Sequence, residues 1–63
     1  SPKQLILALK VRAGKRVLLA DDRVTVTEVA SRLGFATPSH FTATFTAVVG
    51  VTPTRFRREA TRG

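Results

Sequence analysis

Residues 25–56 read TVTEVASRLGFATPSHFTATFTAVVGVTPTRF, and this stretch contains three successive signals for the start of a helix. Thr25 followed by Glu28 is a capping box. The Thr-Pro pairs at 37–38 and 52–53 each supply a cap residue and a proline at the first helical position. The spacing predicts three short helices, near 26–33, 38–49 and 53–60.

Glycine and apolar residues agree with this division. Gly34 and Gly50 stand where the first two of these helices would end, and glycine readily accepts the positive φ of a helix C-terminus. Apolar residues recur every three or four positions, as on one face of a helix. The predicted core consists of Val29, Ala30, Leu33, Phe35, Phe41, Phe45, Val48 and Phe56.

A longer helix is predicted ahead of this stretch, from Pro2 to about Ala20. Ser1 can cap it, and Gln4 can complete a capping box. Gly14 lies in its middle, where glycine costs about 1 kcal/mol relative to alanine, so we expect another helix to pack closely there. No stretch alternates long enough for a strand. The expected fold class is therefore all-α, with a long N-terminal helix followed by three short ones.

The composition narrows the possible functions. Eleven Lys and Arg residues against four Asp and Glu give the 63 residues a net charge of +7, which favours a polyanionic partner, nucleic acid before an anionic membrane. The chain has no cysteine and one histidine, which excludes disulfides, Cys-based metal sites and two-His zinc motifs. No nucleophile–base pair is present, so we expect neither an enzyme nor a bound cofactor.

The apolar run at 5–9 is too short for a signal peptide or for a membrane span of about 20 residues. The basic residues of the first helix are spread around it, which argues against a membrane-surface helix. We expect a soluble protein of the cytoplasm.

The second and third predicted helices form a helix-turn-helix, so the expected all-α fold is a four-helix, homeodomain-like helix-turn-helix domain. Ala30 is small enough to let them approach, Gly34 makes the turn, and Phe41 with Phe45 anchors the second helix of the pair. These two phenylalanines lie further along the chain from Ala30 than the anchors of the commonest helix-turn-helix do, so we expect a longer turn than usual. A helical hairpin without a role in DNA binding would share these features, but the net charge of +7 favours nucleic acid.

Three strings extend this pattern along the chain. Residues 25–35 read TVTEVASRLGF, residues 39–45 read SHFTATF, and residues 50–57 read GVTPTRFR. Together they resemble the C-terminal DNA-binding region of AraC/XylS-family transcription regulators, whose pattern is I/V-x-x-[IV]-A-x-x-x-G-F, then [YH]-F-x-x-x-F, then G-x-[ST]-P-x-x-[YF]-R. The resemblance is close over 24–58 and looser toward the N-terminus.

The resemblance implies one domain, 1–63, made of a linker-type helix at 1–22 and the second helix-turn-helix unit at 23–63. It implies two kinds of partner: double-stranded DNA, and the first helix-turn-helix unit and effector domain of a full-length regulator. It also implies a location in the bacterial cytoplasm, in association with the nucleoid. The [Ser/Thr]-Pro-x-x-apolar strings at 1–5 and 52–56 start 51 residues apart, as two copies of one unit would. A cap followed by proline is, however, common at any helix start.

The resemblance also carries over base-facing positions on the recognition helix: Ser39, Thr42, Ala43 and Thr46. Many family members have Arg and Lys at positions 43 and 46, whereas no formal charge occurs here between residues 33 and 54. Without Arg or Lys the helix lacks the commonest specific contact, a bidentate bond to guanine. Its hydroxyl and methyl groups suit thymine methyls or water-mediated contacts; alternatively, the helix only fits the groove and reads little.

Residues around this surface are expected to hold DNA phosphates. Arg57 matches a family arginine and has either this role or a structural one. The single histidine has no Cys partner, so it is interpreted as a rim or phosphate contact and not as a catalytic or metal-binding residue. The alternative to a sequence-specific regulator is a protein-interaction or structural helical fragment without DNA binding. The phosphate candidates are Arg32, Thr37, His40, Arg55 and Arg58, with backbone N–H groups near Thr37 and Thr25.

Overall fold

The computed structural model describes residues 1–62, which form four α-helices and no strand. The helices are α1 (Pro2–Ala20), α2 (Val26–Arg32), α3 (Pro38–Val49) and α4 (Pro53–Arg62). The predicted all-α helix-turn-helix class is confirmed, with α2 ending one residue earlier and α4 two residues later than predicted. Gly63, the last residue of the predicted domain, lies outside the described residues. No helix within 1–62 is long and apolar enough to cross a membrane.

Each helix begins at a side-chain cap, as the sequence predicts. A hydroxyl oxygen accepts a hydrogen bond from the backbone N–H three residues further on, at 3.0–3.3 Å. Gly34 and Gly50 have φ of 82° and 97°, a conformation that strains any residue with a side chain. They follow α2 and α3 and end these helices. The caps are Ser1, Thr25, Thr37 and Thr52.

The core is centred on α3. Phe41 and Phe45 are fully buried, and the aromatic rings pack in a series that runs from Phe35 through these two to Phe56. Successive ring centroids lie 5.2–5.7 Å apart, tilted or edge to face, which is the arrangement that aromatic pairs prefer. The other buried apolar side chains are Val11, Leu18, Val24, Val29, Ala30 and Pro53.

One prediction about the core was wrong. Val48 is 54% exposed, because the buried face of α3 continues at the four-residue spacing from Phe41 and Phe45 to Val49, which packs against the core. Val48 instead lines an open groove between α1 and α3. Leu33 and Phe56 are partly buried and also pack against the core.

The prediction also missed the contribution of α1. Val11 and Leu18 are buried, whereas Leu5 and Leu9 on the same helix are more than half exposed. Apolar residues occur on both sides of α1, so its periodicity does not single out the side that is buried.

The close packing expected at Gly14 is confirmed. A Cβ on this residue would lie 3.1 Å from Leu33 Cδ1 and 3.2 Å from Phe41 Cε1 and Cζ. These distances are shorter than ordinary van der Waals contacts, so α1 approaches the helix-turn-helix to a distance that only glycine allows without a shift. Gly14 therefore sets the position of α1 relative to α3.

Candidate nucleic-acid interface

The helix-turn-helix consists of α2, the connection 33–37 and α3. The connection is longer than the three or four residues of the common motif, as the late anchors predict. Its backbone is fixed by the Gly34 N–H, which donates to the Ser31 carbonyl at 3.1 Å, and by the Phe35 N–H, which donates to the Ala30 carbonyl at 3.0 Å. The Phe35 ring is buried against Phe41. The backbone bonds thus hold the turn to α2, and the ring holds it to the core.

Lys10 connects α1 to this turn. Its Nζ lies 5.4 Å from the centroid of the Phe35 ring, within cation–π range. His40 packs edge-on against the same ring at 5.2 Å between centroids. The start of α3 thus rests on a ring that α1 also contacts. Sequence reasoning missed Lys10 because nothing in the local pattern relates it to a phenylalanine 25 positions further on.

The four base-facing candidates lie on two neighbouring strips of α3. Ser39 and Ala43 are exposed, whereas Thr42 and Thr46 are half-buried on the flank. The Thr46 hydroxyl donates to the Thr42 carbonyl at 2.8 Å. The expectation that Thr46 faces outward like Ala43 therefore needs correction: its hydroxyl bonds back to the helix, which turns the side chain toward the flank.

A groove runs beside the exposed face of α3. It has a volume of about 490 Å³, and α1 supplies one of its walls through Gln4 and Leu7. Ala43 and Val48 belong to the opposite wall, together with Thr44 and Ala47. Sequence reasoning placed Ala43 on the surface but gave no reason to expect α1 beside it.

The predicted phosphate contacts lie on the surface. Arg32, Thr37, His40 and Arg58 are exposed. Arg55 is exposed too, but its Nε lies 3.0 Å from Glu59 Oε1, and this i,i+4 pair is the only salt bridge among residues 1–61. Its side chains are 64% and 52% exposed, so the pair contributes little to stability.

Arg57 differs from its neighbours on α4. Its side chain is half-buried, and a guanidinium N–H donates to the Val24 carbonyl, just ahead of the α2 cap. The bond joins residues 33 positions apart and ties α4 to the start of α2. Of the two roles left open by the sequence, the structure supports the structural one.

The backbone at the start of α3 offers few donors. Pro38 has no N–H, and the His40 N–H donates to Thr37 Oγ1 at 3.1 Å. The Ser39 N–H is the first-turn donor left for a phosphate oxygen. At the start of α2, the Glu28 N–H is likewise taken by Thr25 Oγ1 at 3.0 Å.

The positive charges of α1 fall into two groups. Lys10 and Lys15 are half-buried and lie over aromatic rings, Lys15 at 5.8 Å from the centroid of Phe56. The other three cations, Lys3, Arg12 and Arg16, are exposed. Arg12 and Arg16 line a shallow groove with Leu9 and Ala13 on the outer side of the helix.

A helix-turn-helix whose second helix presents a small, uncharged face amid exposed cations belongs to the class of nucleic-acid-binding domains. A family model described as a helix-turn-helix domain matches residues 1–59. The chain belongs to this family, the AraC-type helix-turn-helix domains of the AraC/XylS transcription regulators, whose role is DNA binding and regulation and not enzymatic. The match also includes α1. No curated protein and no solved structure matches the chain at a significant level.

Proposed function

We propose that this chain is the C-terminal part of a sequence-specific transcription regulator and that α3 enters the major groove of double-stranded DNA. The observation that carries the proposal is the outward face of α3, where Ser39 and Ala43 are exposed and no charged residue occurs between 33 and 54. Small side chains let the helix approach base edges closely. Because this face has no charge, the residues that attract the phosphates must belong to other parts of the domain. Thr42 and Thr46 complete the base-facing surface from the flank.

In this proposal the surrounding residues bind phosphates. Arg32 precedes the turn, and Thr37, His40 and the Ser39 N–H stand at the start of α3, so they lie close to the end of the helix that would meet the DNA backbone. Arg55 and Arg58 add positive charge from α4. Two further cations are not included in the proposed set because they have partners inside the domain: Arg57 donates to the Val24 carbonyl, and Lys10 lies over the ring of Phe35.

We also propose that α1 is a linker helix and residues 23–63 the second of two helix-turn-helix units. The support comes from the two sides of α1. Its inner side is buried through Val11, Gly14 and Leu18, while Leu5 and Leu9 on its outer side are 61% and 54% exposed. Exposed apolar residues in a group indicate an interaction surface. A first helix-turn-helix unit of the full-length regulator would cover it, and the whole would act on the bacterial nucleoid in the cytoplasm.

The test is a fluorescence anisotropy titration of the 63-residue chain against two unrelated duplexes at about 50 and 200 mM salt. We expect dissociation constants on the order of 10⁻⁴–10⁻⁶ M at physiological salt, a small difference between the duplexes and a steep loss of affinity with salt. Tight, strongly selective binding would contradict the proposal that phosphate contacts from elements other than α3 provide most of the affinity for DNA.

A matched set of variants identifies the phosphate contacts. Arg32→Gln and Arg58→Gln should each weaken binding equally on both duplexes and lower the salt slope by about 0.9. Arg23, exposed between α1 and α2, is not among the proposed contacts, so Arg23→Gln is the control with the same change in charge. An equal loss in all three variants would contradict the proposed positions of the contacts.

The exposed outer side of α1 also favours a second candidate, a protein-interaction module without DNA binding. Absence of binding to either duplex at about 50 mM salt would support this candidate, since nonspecific binding is strongest at low salt.

A further inference from the structure

At Ala43 the outward surface of α3 offers a base edge only a methyl group, beside the hydroxyl groups of Ser39 and Thr42. Ala43 is exposed and has only a methyl group. The stretch from 33 to 54 has no Lys, Arg, Asp or Glu, so neither the bidentate donors that read guanine nor the carboxylate that accepts from cytosine is present. It also has no Asn or Gln, the side chains that read adenine in bidentate fashion.

Thr46 adds a second methyl group and no free donor. Its hydroxyl proton is engaged by the Thr42 carbonyl at 2.8 Å, so the hydroxyl cannot donate to a base without giving up this bond. Thr46 is half-buried, and the groups that its side chain could still offer a base are the Cγ2 methyl and a lone pair of the hydroxyl oxygen. Thr46 and Ala43 are three residues apart on one helix, which puts their Cβ atoms about 5–6 Å apart.

We infer that α3 recognises the C5-methyl group of pyrimidines in the major groove, through Ala43 and the methyl of Thr46. The inference rests on the proposed function, because it requires α3 to lie in that groove. Thymine is the ordinary base with a methyl group on this edge, and Ala and Thr methyls are its apolar partners. Base pairs follow each other at about 3.4 Å, so two such side chains can contact the methyls of neighbouring steps. A 5-methylcytosine carries its methyl at the same ring position and is recognised in the same way.

The direct test compares duplexes that differ only in this methyl group. Alternating d(AT) and d(AU) duplexes have the same hydrogen-bonding groups and the same phosphates, but uracil lacks the methyl. The 63-residue chain should bind d(AT) about fourfold more tightly for each methyl contacted, the factor that corresponds to burying one methylene-sized group. The salt slopes should be equal, since the phosphate contacts do not change.

The converse comparison adds the methyl group to a G·C duplex. An alternating duplex of dG with 5-methyl-dC should bind about fourfold more tightly per contacted methyl than its unmethylated counterpart. This arm separates recognition of the methyl from a general preference for A·T-rich DNA. A preference for d(AT) over d(AU) without any gain on 5-methyl-dC would contradict the inference.

Two variants of Thr46 assign the recognition to the methyl group. Thr46→Ser keeps the hydroxyl that bonds to the Thr42 carbonyl and removes the methyl, so the ratio of d(AT) to d(AU) affinity should fall about fourfold. Thr46→Val keeps the methyl and removes the hydroxyl, so the ratio should stay unchanged. The reverse result, a loss in Thr46→Val and none in Thr46→Ser, would show that the hydroxyl reads the base and would overturn the inference.

The outcomes distinguish this inference from the proposed function. If the chain binds no duplex at about 50 mM salt, the proposed function fails and the inference with it. If it binds d(AT) and d(AU) equally with a steep salt dependence, the proposed function stands and the inference is wrong. Thermal unfolding of both Thr46 variants confirms that each is folded in the assay.

Discussion

The helices α1 and α3 pack directly on each other at Gly14 and Phe41, yet their surfaces have opposite character. α1 carries five cationic residues and no acidic one, whereas α3 carries no Lys, Arg, Asp or Glu. The buried side of α1 consists of Val11, Gly14 and Leu18, and that of α3 of two phenylalanines. The comparison separates the positive charge, which α1 carries and α3 lacks, from the proposed contact with bases, which falls to α3.

The two helices are nevertheless joined at more than one point. Lys10 of α1 lies over Phe35 in the turn before α3, and Lys15 lies over Phe56 of α4. Part of the charge of α1 therefore holds the aromatic series in place. A change that moves α1 should thus disturb α3, whereas a change on the outer face of α3 should leave the fold intact.

The largest effect is expected where the inner face of α3 is broken. Phe45→Ala removes a ring that packs against Phe41 at 5.7 Å and Phe56 at 5.5 Å, and such truncations cost about 3–5 kcal/mol. A domain of this size has a stability of about 3–5 kcal/mol, so the variant should be unfolded by circular dichroism. Val48→Ala, three positions on but 54% exposed at the native valine, is the control and should remain folded. Unfolding of both would contradict the orientation of α3.

The next largest effect on stability is expected at Arg57 and not at its neighbour Arg58 on α4. Arg57→Gln removes the guanidinium that donates to the Val24 carbonyl, and a hydrogen bond to a charged group contributes about 1.5–3 kcal/mol. Arg58 is exposed, so Arg58→Gln should change stability by less than about 0.5 kcal/mol. Urea unfolding of the two variants measures the difference. Equal stabilities would show that the Arg57 bond does not stabilise the domain.

Local signals predicted most of the fold, because each helix start depends on residues within one turn. Ser1 and the three threonine caps, and the glycines at 34 and 50, needed no tertiary information. The positions of Val48 and of the α1 residues did need it. Which side of α1 is buried depends on where Phe41 and Leu33 lie, and no period of the α1 sequence encodes that.

In the candidate site, too, the local features were predictable from the sequence and the long-range contacts were not. The exposure of Ser39 and Ala43 follows from the helical period and was predicted. The hydrogen bond from Arg57 to the Val24 carbonyl spans 33 positions, and the cation–π contact of Lys10 with Phe35 spans 25. Such contacts exist only after the helices have packed, so the sequence left the role of Arg57 open and gave none to Lys10.

A smaller loss of folding stability is expected from a substitution where α1 packs against α3. Gly14→Ala should gain about 1 kcal/mol in helix propensity, but its Cβ would lie 3.2 Å from two atoms of the fully buried Phe41 ring. Overpacking costs about 1–3 kcal/mol, so the net result should be a loss of about 1 kcal/mol. Ala8→Gly at an exposed position of α1 measures the propensity term on the same helix. A Gly14→Ala variant more stable than the native chain would show that α1 can shift away from α3 at little cost.

An effect on free energy about as small as that of Gly14→Ala is expected on the outer face of α3, and it tests the division between the two helices. Ala43→Arg places on the exposed face of α3 the guanidinium that this helix lacks, and a bidentate contact to guanine discriminates by about 1–3 kcal/mol. Residue 43 lines a groove whose opposite wall contains Gln4 and Leu7, and the arginine must leave this groove to reach a base. We therefore expect the lower end, about 1 kcal/mol, or roughly fivefold in favour of G·C-containing sites. Anisotropy titrations against duplexes with and without guanine at one position measure this preference. Arg12→Ala on the outer side of α1 removes a charge and should weaken binding to both duplexes alike or not at all. If Ala43→Arg instead raised affinity equally on both duplexes, the new charge would be contacting phosphates, and the outer face of α3 would not be the surface that meets the bases.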